Sequence, residues 1–288
     1  MSIRISAVAA EYGRGLRRSL DQVIGQIDAA KRNGVDLLVL PEACLGGYLV
    51  DLSDADSTLD RDDPGPPELS VDGPELAELA GAAGELVVCL GFCEIADSRR
   101  FNSAVCFSGA GVHGVYRKVH QPLAEDSYYS AGSGFAAFDT PVGRLGMLIC
   151  YDKAFPEAAR ALALDGAQII ACMSAWPTSR TAPAANLADD RWTKRFNLFD
   201  AARALENQLV LASANQAGTF GSMRFVASAK VVGPGGDVLA STGVSAGEAT
   251  VDVDVPSEVA LARRFMCHLA DRRPDTYYPP HSMRAVSC

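Results

Sequence analysis

The sequence predicts an α/β protein built on mixed sheets, with helices on the outside. Three observations lead there. Short apolar, strand-like runs alternate with stretches of helical period. Some of these runs join through Pro/Gly hairpin turns and others through helices, which mixes antiparallel and parallel pairing. No linker and no internal repeat divides residues 1–288, so a single domain is expected. At 48% hydrophobic and 21% charged, the composition is that of a globular protein with ample length for a buried core.

The elements follow in order. Residues Ile3 to Ala9 read as a strand. Leu16, Leu20, Val23, Ile24 and Ile27 recur at helical spacing, and Gly34 supplies a stop. Val35 to Leu40 is an apolar run of the kind buried on both faces. Residues 51–67 crowd six aspartates and three prolines together, the mark of a solvated loop whose spacing fits no calcium loop. Pro74 suits the first turn of a short helix. Strands are expected at 86–95, 101–107 and 113–118, then an irregular segment at 119–134. A strand pair at 135–139 and 144–150 joins through Pro141-Val142-Gly143. A helix from Pro156 to Gly166, a strand at 168–173, a long helix within 189–207 and a strand at 209–214 come next. Residues 225–232 and 237–240 read as a hairpin around Pro234-Gly235-Gly236, residues 249–255 as the last strand, and the tail from Pro256 as holding a short helix.

Charge and targeting signals narrow the function classes. A net charge of −9 argues against nucleic acid or an anionic membrane as partner. Arg14, Arg17 and Arg18 read as the exposed face of a helix. The N-terminus alternates like a strand, unlike a signal peptide, and no apolar run approaches the roughly 20 residues of a membrane span. A cytoplasmic location is expected, with the eight cysteines reduced. Cys89 and Cys93 would share a sheet face as small buried residues rather than as a metal pair.

Three segments carry candidate chemistry, each at the end of an apolar run: Leu40-Pro41-Glu42, Tyr116-Arg117-Lys118-Val119-His120, and Gly146-Met147-Leu148-Ile149-Cys150-Tyr151-Asp152. Strand ends give a rigid base beside an opening loop, which is where α/β proteins put reactive groups. A carboxylate, an ammonium and a thiol delivered this way suit covalent acyl transfer. Glu42, desolvated after a buried strand, suits a general base. Lys118 can stabilise an oxyanion, and a Cys150 turn before a helix can aim the Tyr151 N–H at the same oxygen. Glu125, seven residues after Lys118, could pair with it or orient a substrate amide. His120 leaves a Cys–His dyad with Cys150 open at this level.

Together these segments resemble the nitrilase superfamily of carbon–nitrogen hydrolases, over nearly the whole chain. Pro41-Glu42 with Gly47-Tyr48 is similar to its glutamate motif, Tyr116–His120 to its lysine motif, and Gly146–Asp152 with Phe155-Pro156-Glu157 to its cysteine motif. Ser174-Ala175-Trp176-Pro177 and Ala202–Asn207 resemble later segments, and Glu125 is followed by an aromatic pair and Gly132 as in such proteins. The resemblance implies a four-layer α-β-β-α sandwich and, in relatives, an eight-layer homodimer or larger assembly, to which the tail 256–288 would contribute. It implies a Glu-Lys-Cys triad of Glu42, Lys118 and Cys150 supported by Glu125, with no metal or organic cofactor. His120 becomes a supporting residue. The expected activity is hydrolysis of a small carboxamide to acid and ammonia through a cysteine thioester. An N-carbamoyl amine or amino acid is the second substrate class; acyl transfer, nitrile hydrolysis and a non-catalytic binding role follow. Tyr151-Asp152 stands where true nitrilases have Trp-Glu, and Lys153-Ala154 where carbamoyl amino acid hydrolases place arginines. Tyr48, Phe155 and Trp176 are the expected pocket wall, and Arg180 a candidate for an acidic substrate group.

Overall fold

The computed structural model describes residues 2–53 and 63–277. Fourteen strands and six α-helices are present among them. The first half holds β1 (Ile3–Ala10), α1 (Leu16–Arg32), β2 (Leu37–Val39), α2 (Pro74–Ala83), β3 (Val87–Ala96), β4 (Arg99–Ser108) and β5 (Gly111–Arg117). The second holds β6 (Phe138–Thr140), β7 (Gly143–Ile149), α3 (Pro156–Leu164), β8 (Ile169–Ser174), α4 (Arg191–Asn207) and β9 (Val210–Gln216). After these come β10 (Thr219–Phe220), β11 (Met223–Arg224), β12 (Lys230–Val232), β13 (Val238–Ser241), β14 (Gly247–Val253), α5 (Val255–Ala262) and α6 (Pro274–Tyr277).

The main path of hydrogen-bonded strands runs β5-β4-β3-β2-β1-β9-β8-β7-β6. Its two halves meet where β1 touches β9 at only two register pairs, Ala9 with Asn215 and Ala10 with Gln216. From that seam the halves fold over one another, so that β3 faces β8, β4 faces β7 and β5 faces β6. The period of two sorts the side chains. Leu37, Val39, Met147, Ile149, Ala171 and Met173 point into the space between the halves. Leu38, Leu40, Val88 and Leu90 point the other way, under α1 and α2. Leu148, Ile170, Cys172 and Leu211 lie under α3 and α4. Helix, sheet, sheet, helix is thus the order of layers, the four-layer sandwich that the resemblance implied.

Local chemistry sets the boundaries. Pro74 and Pro156 open α2 and α3, where a missing N–H costs nothing. Asp190 caps α4 by accepting the Trp192 N–H at 2.8 Å. The buried stripe of α1 is Leu20, Val23, Ile27 and Ala30, spaced as a helix requires.

Four readings need correction. Strand β7 stops at Ile149, because Cys150 turns to a left-handed φ of 49° and starts a 3-10 helix that runs to Ala154. Of residues 225–232 only Lys230–Val232 pairs as a strand; Ala227 and Ser228 take φ values of 54° and 61°, which break the ladder. The short β10–β11 hairpin was not anticipated from the sequence. Arg14 precedes α1 and is not on its exposed face: its guanidinium pairs with Asp63 and donates to the carbonyls of Gly46 and Tyr48. Of the acidic loop, residues 54–62 lie outside the described residues, as do His281 and Cys288. No described helix is long and apolar enough to cross a membrane.

One glycine couples this frame to the site. Gly91 of β3 lies against the chain at Glu42, and a Cβ there would fall 2.7 Å from both Glu42 Cα and Ala43 N. Backbone cannot yield as a flexible side chain can. Gly91→Ala should therefore destabilise the fold by about 1–3 kcal/mol. The exposed helical Gly81 meets nothing within 4 Å, so Gly81→Ala should stabilise. Denaturant unfolding of the two variants checks the opposite signs.

Candidate active site

Cys150 is the first residue past the inward-facing end of β7, and its positive φ lifts it out of the strand's alternation. Asp152 holds this turn. One of its carboxylate oxygens accepts the Ile149 N–H at 3.0 Å and the Tyr116 hydroxyl at 2.7 Å. The other accepts the His120 backbone N–H at 3.0 Å and lies 2.9 Å from His120 Nδ1. A single buried carboxylate thus ties the cysteine turn to the end of β5. His120 also stacks on Phe155, with ring centroids 3.7 Å apart. Its ring serves Asp152 and Phe155.

Lys118 follows β5, and its backbone is fixed on both sides: its N–H donates to Asn102 O and its carbonyl accepts from Gly132 N. A Cβ at Gly132 would fall 2.0 Å from Arg117 O, so only glycine allows this approach. The Lys118 ammonium donates to Glu42 Oε1 at 2.8 Å and to Glu125 Oε2 at 2.7 Å. All three side chains are fully buried. Asn102 Nδ2 bridges the same two carboxylates, at 2.6 Å from Glu42 Oε1 and 2.5 Å from Glu125 Oε1. The second oxygen of Glu42 accepts the Ala175 N–H at 2.6 Å, and its backbone carbonyl accepts from Gln216 Nε2.

Burial and charge oppose each other here. Burial pushes Glu125 up to about 7, and the Glu42 charge adds to this, while Lys118 and Asn102 pull it back. Burial would depress Lys118, but Glu125 and Glu42 more than reverse it, so the ammonium keeps its proton. Burial and the Glu42 charge hold the Cys150 thiol well above its ordinary value; Lys118, Lys153 and the Ala175 N–H partly offset them. The thiol is therefore protonated at rest, and a base would have to take its proton for the sulfur to act as a nucleophile.

Cys150 opens onto a cavity of about 510 Å³. Tyr48, Leu52, Tyr151, Trp176 and Trp192 line it, with Leu123. Trp176 is fixed by its N–H bond to Asn215 Oδ1 at 2.8 Å and by edge contacts with Phe196 and Phe199. Arg180 stands on the wall, 3.4 Å from Asp51. Phe155 does not line the cavity: it turns away to stack on His120 and meets Tyr151 edge-on.

The structure thus joins Glu42, Lys118 and Glu125 in one buried cluster, of which Glu42 and Lys118 act on Cys150, and places Cys150, Tyr48, Tyr151 and Trp176 on the cavity wall. Sequence reasoning missed Asn102, Ala175 and the tying role of Asp152. Only Asn102 left a signal, as an amide beside Ser103 in the otherwise apolar run from Phe101 to Phe107. Ala175 acts through its backbone, which no side-chain pattern reveals. Cys89 and Cys93 are both buried, with Cys89 opposite Cys106 in register.

Comparison with known proteins gives the family and supports the fold. The family profile described as "Carbon-nitrogen hydrolase" matches residues 6–264. A probable nitrilase of Schizosaccharomyces pombe is 33% identical over 73% of this chain and 75% of its own. An (R)-stereoselective amidase of a Pseudomonas species is 31% identical over 83% of this chain and 80% of its own. Among solved structures, a carbon-nitrogen hydrolase of Helicobacter pylori superposes with a TM-score of 0.80 at 26% identity, over 96% of this chain and 97% of that one. With the profile spanning most of its length and relatives at this level of identity, the chain belongs to the carbon–nitrogen hydrolase family.

Proposed function

We propose that this enzyme hydrolyses a carboxamide to the acid and ammonia, with Cys150 as nucleophile. The observation that supports this most is the buried Glu42–Lys118–Glu125 cluster beside a thiol in a closed turn. Glu42 takes the Sγ proton as sulfur attacks the amide carbon. The carbonyl oxygen gains the negative charge. Lys118 has three N–H donors, of which two are given to Glu42 and Glu125, leaving one for that oxygen. The Tyr151 N–H is the second donor. Glu42 then returns its proton to the nitrogen, the C–N bond breaks, and ammonia leaves a thioester on Cys150. A water molecule, deprotonated by Glu42, attacks the thioester; the C–S bond breaks, Glu42 returns the proton to Sγ, and the acid is released. Glu125 and Asn102 act by fixing Lys118 and Glu42.

The apolar wall of Tyr48, Leu52, Leu123, Trp176 and Trp192 favours an acyl group with apolar surface. Arg180 favours a second reading, in which a carboxylate of an N-carbamoyl amino acid meets the guanidinium. Product analysis separates the two, since only the carbamoyl substrate yields carbon dioxide as well as ammonia. Homodimerisation is part of the same reading. Leu198 and Leu205 are exposed on the outer face of α4, and Phe265 and Met266 are exposed after α5, an apolar surface suited to a second copy.

Cys150→Ala should abolish ammonia release from any amide that the wild type turns over, with the folded state intact by circular dichroism. Persistent steady-state turnover in that variant contradicts the proposal. Asn102→Leu should lower stability by about 1.5–3 kcal/mol, because two carboxylates lose a donor. That loss should be larger above pH 7 than below it, since Glu125, with its value near 7, then carries more charge. Glu125 also has a linkage signature of its own. Between the ordinary carboxylate range and about 7 the folded chain keeps a proton there that the unfolded chain has released. Its contribution to stability is present at low pH and is lost as pH rises through about 7. Glu125→Gln should flatten that decline in pH-dependent denaturation.

A further inference from the structure

A second buried charge cluster lies next to Cys150, and the mechanism above does not use it. Lys153 sits three residues after Cys150 in the same 3-10 turn and is fully buried. Its ammonium donates to Asp200 Oδ1 of α4 at 2.6 Å and to Ser213 Oγ of β9 at 3.2 Å. It also lies 3.4 Å from the centre of the Phe196 ring. Lys230, at the start of β12, donates to the other Asp200 oxygen at 2.9 Å and to Ser228 O at 2.6 Å. It faces the same Phe196 ring at 4.2 Å. Trp176 on the cavity wall has its ring 5.9 Å from Lys153 Nζ.

Two buried ammonium groups therefore share one buried carboxylate, an arrangement with one positive charge in excess. For packing alone this is a poor choice, since apolar residues of similar size fill such space without a desolvation cost. The site beside it has the opposite imbalance, with Glu42 and Glu125 facing the single ammonium of Lys118. Passing the thiol proton to Glu42 leaves that total unchanged but moves the negative charge onto sulfur and then onto the carbonyl oxygen, on the Lys153 side of the site. The groups that act on Cys150 come from every side: Glu42 from the end of β2, Tyr48 from the loop after it, Lys118 from the end of β5, and Lys153 from its own turn. Lys118, Lys153 and the Ala175 N–H favour the thiolate, and the two lysines are the charged groups among them. Lys153 in turn feels Asp200, Cys172 and Cys150. Asp152 between them is occupied with Tyr116, His120 and the Ile149 N–H. Burial pulls Lys230 down to about 8, with Asp200 resisting, so it still carries its charge at neutral pH.

We propose that Lys153, held by Asp200 and backed by Lys230, is a positioning residue whose positive charge stabilises the Cys150 thiolate and the oxyanion that follows it. The proposal rests on the reading of Cys150 as nucleophile, and its test keeps the two apart by not requiring turnover. Iodoacetamide is the probe: the Cys150 thiolate displaces iodide, a C–S bond replaces the C–I bond, and the thiol proton goes to the buffer. Peptide-resolved mass spectrometry of the folded protein follows the rate at Cys150 alone, across pH.

Lys153→Met should move the midpoint of that profile upward, slowing alkylation at neutral pH by about tenfold, the effect of one unit of thiol pKa. Lys153→Arg should keep the wild-type midpoint. Lys230→Met, which leaves a neutral Lys153–Asp200 pair, should move it in the same direction as Lys153→Met. A wild-type midpoint in folded Lys153→Met overturns the proposal while leaving Cys150 as nucleophile. If Lys153→Met does not fold, Lys230→Met decides, and an unchanged midpoint there overturns it equally. Failure of wild-type Cys150 to alkylate at any pH overturns both readings.

Discussion

One ammonium between two carboxylates, sealed from water, is the interaction on which the rest of this structure depends. Lys118 cannot keep its charge in that layer without Glu42 and Glu125, and neither carboxylate is satisfied without Lys118. Removing Lys118 leaves two buried carboxylates with no counter-charge. This explains why so much of the surrounding backbone is fixed. The Lys118 main chain is pinned by Asn102 and Gly132, the Glu42 main chain by Gln216, and the approach of β3 by the absence of a side chain at Gly91. The sheets bring together residues 42, 118, 125 and 150, and hydrogen bonds join the first three.

The same electrostatics explains why the thiol needs help. A carboxylate-rich, desolvated floor favours the neutral sulfhydryl, which is the safe resting state for a cysteine among apolar walls. Activation then requires that charge separation be cheap at the moment of reaction. In the reaction we propose, Lys118 lies on one flank for this, and the Lys153–Asp200–Lys230 cluster would supply a compensating charge through the turn. The positive φ at Cys150 and the Asp152 clamp keep that turn in the one shape that presents sulfur to the cavity.

Much of this was legible in the sequence, for reasons that differ by residue. Glu42, Lys118 and Cys150 each follow an apolar run, and period and chain order alone place such residues at strand ends. The layer order came with the resemblance, and the alternation of Leu37, Leu38 and Val39 between two cores bears it out. Boundaries were less visible where backbone conformation decides them. Nothing in the residue types at 227 and 228 announces two left-handed residues, and Cys150 gives no sign of its own φ. Phe155 was misjudged because an aromatic after a reactive turn suggests a pocket wall, whereas the nearby His120 ring offers it a better stacking partner. Arg14 was misjudged because a cluster of arginines before a helix suggests solvent, while this one reaches the carbonyls of the loop after Glu42. The charge cluster behind the site was hidden for a different reason. Lys153, Asp200 and Lys230 are far apart in sequence and each looks like a surface residue until the sheets close.

The most direct test of the account is rapid acid quenching during amide turnover, followed by mass analysis of the peptide that carries Cys150. The account predicts a transient gain equal to the substrate's acyl group, confined to that peptide and released by hydroxylamine as a thioester would be. Turnover that proceeds with Cys150 unmodified at every time point, under conditions where hydrolysis of a thioester is slowed, would contradict it.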